Sequence, residues 1–330
     1  MNIPETINQY FYTSGTGVIF IGGLISNILE VIIYLRKKFS KQNARTYYIA
    51  SCLADSFSLL WTLTEFCYFG FNLNLSTLSF FSCQFINYTT YVSPAVSAWF
   101  MMTISLDRIC MIFFANEFKF LEKLGVQIGV SIGILIFNLL FYSPSFEVGQ
   151  FTPADLLSPN STTNCEYNYN HALYKTLALM DLVNSSLLPF AIEFCSSICL
   201  CCFLIRARRR LKSQQMRNTV RNNASVSNIR TNSTNKVVLK KRDRDFIFTC
   251  LAVNFSFLAF TMPSVILNNG SVNDWSVSNE LKYSYLYLLD SFSYAIQFPV
   301  NMITNSMFRV EFYSFLGIKR SRETENALRA

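Results

Sequence analysis

Cys83 and the adjacent pair Asp107–Arg108 stand at opposite ends of one mostly apolar stretch, CQFINYTTYVSPAVSAWFMMTISLDR. A thiol can close a disulfide in an oxidising space, and an acid beside a guanidinium can form an ion pair. The 25 steps between Cys83 and Arg108 rise about 37 Å as a helix, enough to cross a hydrocarbon core of roughly 30 Å. The two chemistries therefore belong on opposite faces of a membrane. Asp55 offers a third, because it is a carboxylate in the middle of an apolar run. An isolated charge there costs about 2.5–3.5 kcal/mol, so it needs partners. Enzyme chemistry is excluded by inventory. One histidine, His171, cannot build a His-based metal cluster or a Ser/His pair, and no phosphate-cradling glycine loop is present.

The elements that must position these groups are transmembrane helices. The chain has 330 residues, 51% hydrophobic and only 15% charged, where a soluble protein carries about a quarter charged. Its mean hydropathy is +0.28. Seven apolar segments, at 17–35, 46–69, 82–107, 124–143, 173–205, 245–267 and 284–305, are each long enough to span. Of the 28 basic residues, 26 fall in the 36–45, 108–123 and 206–244 loops and the tail from Arg309 onward. By the positive-inside rule the amino terminus is outside and the carboxyl terminus cytoplasmic. The net charge of +8 is thus a topology signal on loops, and a nucleic-acid partner is not expected. Residues 1–16 show no basic start and no small-residue cleavage site, so they are expected to form an outer tail. A seven-helix unit follows over 17–305, then a short amphipathic helix eight and tail over 306–330.

The loops carry further expectations. Cys83 and Cys165 are the cysteines placed outside, and a bond between them is expected there, with two free thiols as the alternative. Asn74, Asn160 and Asn269 head Asn-X-Ser/Thr sequons in outer loops, with Asn160 best placed for glycosylation. The basic 206–244 loop is expected to be disordered at its centre, its ends prolonging helices five and six. Gly125, Gly129 and Gly133 make a four-residue pattern on helix four, which favours close packing within the bundle over a dimer seam.

Several motifs resemble those of rhodopsin-like G-protein-coupled receptors over residues 17–318. Helix one has Ser26-Asn27, and helix two has Leu53-Ala54-Asp55 at the family spacing of 28 from Asn27. Asp107-Arg108-Ile109 resembles the family's acid-Arg-aromatic signature, and Ser97, Trp99, Pro189, Phe257 and Pro263 match common positions. The seventh segment, SYAIQFPVNMITNSMFR, is similar to that of invertebrate peptide receptors of FMRFamide type or orphan receptors. Three departures stand out. The helix-four Trp is missing, Thr261 replaces the aromatic switch residue, and the helix-seven motif is degraded, with Gln297 at its Asn and Asn301 at its Tyr, or, in a rival alignment, Asn301 at its Asn.

The resemblance implies an all-α seven-helix membrane protein of the plasma membrane. It implies an extracellular peptide or small-molecule ligand, a heterotrimeric G protein, arrestin and membrane lipid as partners. No cofactor is expected beyond a sodium ion at Asp55 and Ser97, with Asn27, Ser293 and Gln297 completing the shell; a protonated Asp55 bonded to Ser97 is the alternative. Asp243 lies 20 residues before Pro263, about 30 Å along helix six, at the depth of Arg108. An Arg108–Asp243 tether would hold helices three and six closed, with Pro189 and Pro263 as hinges. Glu65, Asp181 and Asp290 near the outer end, with Thr90 and Tyr91, suit a cationic, aromatic ligand such as an amidated Arg-Phe peptide. Thr90 stands where amine receptors keep an aspartate. The competing readings are a small-molecule chemosensory receptor, a transporter, and a seven-helix protein that does not signal.

Overall fold

Helix ends in this chain coincide with small capping residues and with the breaks in its apolar pattern. A computed structural model describes residues 3–39, 44–114, 117–152, 163–167, 172–222, 241–270 and 277–318. Helix α1 (Ile3–Leu35) precedes α2 (Arg45–Phe71), which stops at Asn72 in a left-handed conformation, its N–H returned to Cys67 and Tyr68 carbonyls. Asparagine tolerates that conformation better than other side chains with a Cβ. Helix α3 (Phe80–Phe113) opens on Ser79, whose hydroxyl accepts from Ser82 N–H at 3.0 Å. It runs unbroken through Pro94. Helix α4 (Leu124–Phe141) leads through the short α5 (Ser145–Val148) into an antiparallel hairpin, β1 (Gly149–Thr152) and β2 (Asn164–Tyr167).

The fifth rod is composite. Helix α6 (Ala172–Asp181) passes through a π turn, Leu182–Leu187, into α7 (Leu188–Asn222). The wide turn lies just before Pro189, which lacks the N–H that an α-helical continuation would use. Helix α8 (Lys241–Gly270) carries Pro263 inside it. The seventh rod, α9 (Val277–Ser293) and α10 (Gln297–Thr304), is interrupted at 294–296 by tight turns from Tyr294 to Ser291 and from Ala295 to Phe292. Asn305 caps α11 (Ser306–Phe315), accepting from Phe308 N–H at 3.1 Å.

Among the described residues the helices thus form seven rods plus α11, and the hairpin is the departure from an all-α chain. The expected tail 1–16 is helical from Ile3, because α1 extends 14 residues before its expected start. Both ends of the 206–244 loop are helical, as α7 reaches Asn222 and α8 begins at Lys241; residues 223–240 lie outside the described set. Among the described residues, four helical segments are long and apolar enough to cross a membrane, Gln9–Leu35, Phe80–Phe113, Leu124–Val148 and Leu173–Phe203.

Helix α3 is central, packing against α2, α4, α7 and α8, while α1 packs along α2 and the seventh rod. Outward faces carry Val18, Leu140, Phe255 and Ile303, all exposed, as lipid requires. Near the Arg108 end an aromatic cluster closes the bundle, with Tyr34 stacked on Tyr48 at 4.9 Å and Phe298 edge-on to Phe308 at 5.5 Å. At Gly23 the backbones crowd. A Cβ there would lie 2.7 Å from Leu59 Cδ1 and 2.9 Å from Ala295 Cβ. Gly23→Ala should therefore cost about 1–3 kcal/mol, read as a lower melting temperature in detergent. The glycines of α4 behave otherwise. A Cβ at Gly125, Gly129 or Gly133 would meet nothing within 4 Å, so the expected close packing of this stripe within the bundle is absent.

Candidate functional site

At one end of the bundle the hairpin is fastened to α3 by the Cys83–Cys165 disulfide, with Cα atoms 5.7 Å apart. Phe151 pairs with Cys165 across the hairpin, and Gln84 Nε2 donates to the Gly149 carbonyl at 2.9 Å. The three expected pocket acids have different neighbours. Glu65 accepts from Tyr12 OH at 3.2 Å, which the unexpected reach of α1 makes available. Asp181 accepts from Tyr142 OH at 2.9 Å, and Tyr142 stacks on Tyr91 at 6.0 Å between centroids. Asp290 is close enough to Asp181 for their charges to interact. Thr90 turns back on its own helix, donating to the Ile86 carbonyl at 2.8 Å. Exposed Asn74 caps the turn after it by accepting from Ser76, and Asn160 lies outside the described residues.

The middle of the bundle holds a buried polar core. Ser97 on α3 donates to the Asp55 carboxylate on α2. Beside them is a void with space for about one water-sized sphere, lined by Asp55, Ser97, Met101, Ser293 and Gln297 among others. Ser293 also donates to the Asp290 carbonyl at 2.6 Å, and Gln297 meets Cys52 and Met101 sulfurs at 4.0 and 3.9 Å. Asn27 does not complete this shell. Its Nδ2 donates to the Tyr294 carbonyl at 3.3 Å, an acceptor made available by the break in the seventh rod. The oxygen set, carboxylate plus hydroxyls around a one-sphere void, fits a small hard cation such as Na⁺. Among the described residues, no three His, Cys, Asp or Glu side chains gather into any other metal site. Phe257 lines this void and a second one with Ser186, Phe190 and Thr261, so loss of the aromatic at 261 leaves space between α7 and α8.

At the other end, Asp107 is buried and pairs with Arg108 at 3.6 Å. One turn before Arg108, Ser105 accepts from Asn254 Nδ2 on α8 at 2.8 Å, and Asn254 also reaches Ser197 on α7 at 3.2 Å. Thr304 on α10 donates to Thr249 on α8 at 2.8 Å. Asp243 lies on α8, but its side chain, and with it the expected tether, falls outside the described residues. Helix α11 is fastened through Glu311, which takes Arg36 at 3.0 Å and also Lys38.

The family described as "7 transmembrane receptor (rhodopsin family)" matches residues 26–301, spanning helix one to Asn301. The chain belongs to this family. Its relatives include the KiSS-1 receptors of Mus musculus and Rattus norvegicus, each 24% identical over 187 residues. That alignment covers 56% of this chain and 46% of each relative, so the chain spans about half the length of the curated relatives it matches. Like the rest of its family, the receptor is a multi-pass membrane protein of the plasma membrane and not an enzyme.

Two buried acids of the receptor carry no expectation from sequence. Glu30 on α1 is fully buried and accepts from Asn301 Nδ2 at 2.5 Å, while Tyr34 OH donates to Asn301 Oδ1 at 3.4 Å. Asn301 therefore fastens α10 to α1. Glu193 on α7 is also fully buried. The signal was present, because each is a lone acid inside an apolar run, SNILEVIIY and PFAIEFCSS, and such residues rarely face lipid. A further network joins three helices. Trp99 Nε1 donates to Asn184 in the π turn at 3.2 Å, and Asn184 Nδ2 donates to Asn138 on α4 at 2.9 Å.

Proposed function

We propose that the receptor binds a cationic, aromatic ligand, most simply an amidated peptide, at its Cys83 end and activates a heterotrimeric G protein at its Arg108 end. The Cys83 end then faces outside and both the Arg108 end and the carboxyl terminus face the cytoplasm, as the distribution of basic residues supports. The observation that carries this reading is the placement of Asp107–Arg108 at the far end of α3 from the disulfide, in a chain of this family. The ligand class rests on Asp181 and Asp290, neighbouring acids beside the stacked Tyr91 and Tyr142, which together favour a cation over an anion. Thr90, turned onto its own helix, offers no counter-charge to a small amine.

Signalling on this reading is an outward movement of α8 about Pro263, opposed by an Arg108–Asp243 tether. Sodium fits Asp55 and Ser97, with the Ser293 and Gln297 oxygens near, and when bound would supply the counter-charge that the buried carboxylate needs. Arrestin and lipid contacts belong to the same proposal. The test is a cell assay against amidated peptides that reads cAMP, calcium and arrestin recruitment. Silence across the peptides with responses to small odorant-like compounds would overturn the ligand class. In the same assay, Asp243→Ala should raise ligand-free G-protein activity about tenfold, the worth of one charge-assisted bond. Unchanged basal signalling at normal surface expression would sink the tether.

A further inference from the structure

Glu193 sits one turn beyond Pro189 on α7, fully buried, and neither carboxylate oxygen has a hydrogen-bond partner among the described residues. A buried carboxylate left unsatisfied is costly, and native structures seldom keep one without a use for it. Its neighbourhood is specific. Ser197, one turn further on the same face of α7, is bonded to Asn254 of α8, and Asn254 is bonded to Ser105 of α3. Arg108 follows Ser105 by one turn. The charges of Arg108 and Glu193 both act on the thiol of Cys250 on α8, which itself touches Ser105 at 3.6 Å. Arg108 thus lies one turn below this polar layer and Glu193 one turn above it. Seven residue rises separate them, about 10 Å along the bundle, a gap two extended side chains can close. The α8 side chains Cys250 and Asn254 occupy the layer between.

We propose that Glu193 is a positioning residue of the open state, accepting the Arg108 guanidinium once α8 withdraws Cys250 and Asn254 from between them. The resting bundle then holds an unsatisfied acid, and the open bundle satisfies it. Opening gains a charge-assisted bond that offsets the loss of the Asn254 bonds to Ser105 and Ser197. This inference rests on the outward movement of α8 in the function proposed above. It is specific to an acid that the family signature on α3 does not include.

The experiment uses the full-length chain in lipid nanodiscs without ligand, with nitroxide probes at the Arg108-side ends of α3 and α8. The wild type should show a short and a long inter-probe distance. Glu193→Gln should reduce the long-distance population about tenfold, while Glu193→Asp retains most of it. Glu193→Met should raise the melting temperature, because the resting state no longer buries an unsatisfied polar group; a merely structural role would lower it. In an Arg108→Gln background, which lacks the tether as well, Glu193→Gln should change the long-distance population no further. A single short distance in the wild type overturns the proposal, as do an unchanged long-distance population or additive effects in the double variant. Nucleotide exchange on purified G protein is read in parallel. No exchange by a wild type whose distances still respond to Glu193→Gln would sink the signalling function and leave the pair standing.

Discussion

Asn301→Leu is expected to destabilise the folded receptor by about 1–3 kcal/mol, the cost of leaving a buried acid without its hydrogen-bond partner. Asn301 supplies the amide that Glu30 accepts at 2.5 Å, and both side chains are completely enclosed. Leucine would fill the volume without donating anything, leaving a carboxyl group between α1 and α10 with neither water nor partner. The second half of the expectation is sharper. Glu30→Leu combined with Asn301→Leu should recover most of the loss, because an apolar pair leaves nothing unsatisfied. Melting of the detergent-solubilised receptor, followed by retention on size exclusion after heating, measures all four corners of the cycle. Additive losses would show that Glu30 and Asn301 act separately. Tyr34, which donates to the other side of the same amide at 3.4 Å, should show a smaller effect as Tyr34→Phe, about 1 kcal/mol for one neutral hydrogen bond.

The second large effect is expected at the other end. The Cys83–Cys165 bond closes a loop with a sequence separation of 82, and the chain-entropy account gives about 4–5 kcal/mol for a closure of that length. Cys165→Ser should lower the melting temperature and the fraction reaching the cell surface, and Cys83→Ser should do the same. Together they should do no more than either alone, since one bond is lost in each case. Reduction of the wild type should approach the same value. A double variant clearly worse than both singles would mean that the thiols contribute by packing. Asn87 Nδ2, within 3.5 Å of Cys165 Sγ and 3.7 Å of Cys83 Sγ, is the neighbour through which such packing would be felt.

What could be read from the chain alone follows from how far each property depends on rotation about a helix axis. Rod lengths need only runs of apolar residues, and those were visible. The Cys83–Cys165 pairing needs only topology. The nearness of Asp55 and Ser97 can be read from the chain as either a shared sodium ion or a direct bond, and in the structure Ser97 donates to Asp55. Asn27 differs, because its acceptor is the Tyr294 carbonyl, and no side-chain pattern announces where a backbone will break. Glu65 is taken by Tyr12 because α1 begins at Ile3 rather than near residue 17; those first turns, about four, mix polar and apolar residues and leave little hydrophobic signature. Glu30 and Asn301 are 271 residues apart, and their meeting depends on the azimuth of two rods that local periodicity leaves free. Glu30 was nonetheless conspicuous in type, as was Glu193. The glycines of α4 carry the opposite lesson: a motif suited to close approach, at positions where an added Cβ would meet nothing within 4 Å among the described residues.

The π turn at Leu182–Leu187 has a consequence for how the fifth rod can be cut and compared. Its Leu188 N–H bonds to the Val183 carbonyl, five residues back, so this stretch holds one residue more than an α-helical turn of the same height. Side chains before and after it are therefore read in different phases. Deleting a single residue within 182–187 would let the rod close into an ordinary helix without shortening its packed length by much. Everything upstream would then turn by about 100° relative to α7. Asp181 would swing away from Tyr142, and Asn184 or its successor would leave Trp99 and Asn138, while Pro189 and Glu193 stayed where they are. The extra residue acts as a phase shifter, setting which acid the Cys83 end presents independently of which residues the same rod presents to α3 and α8.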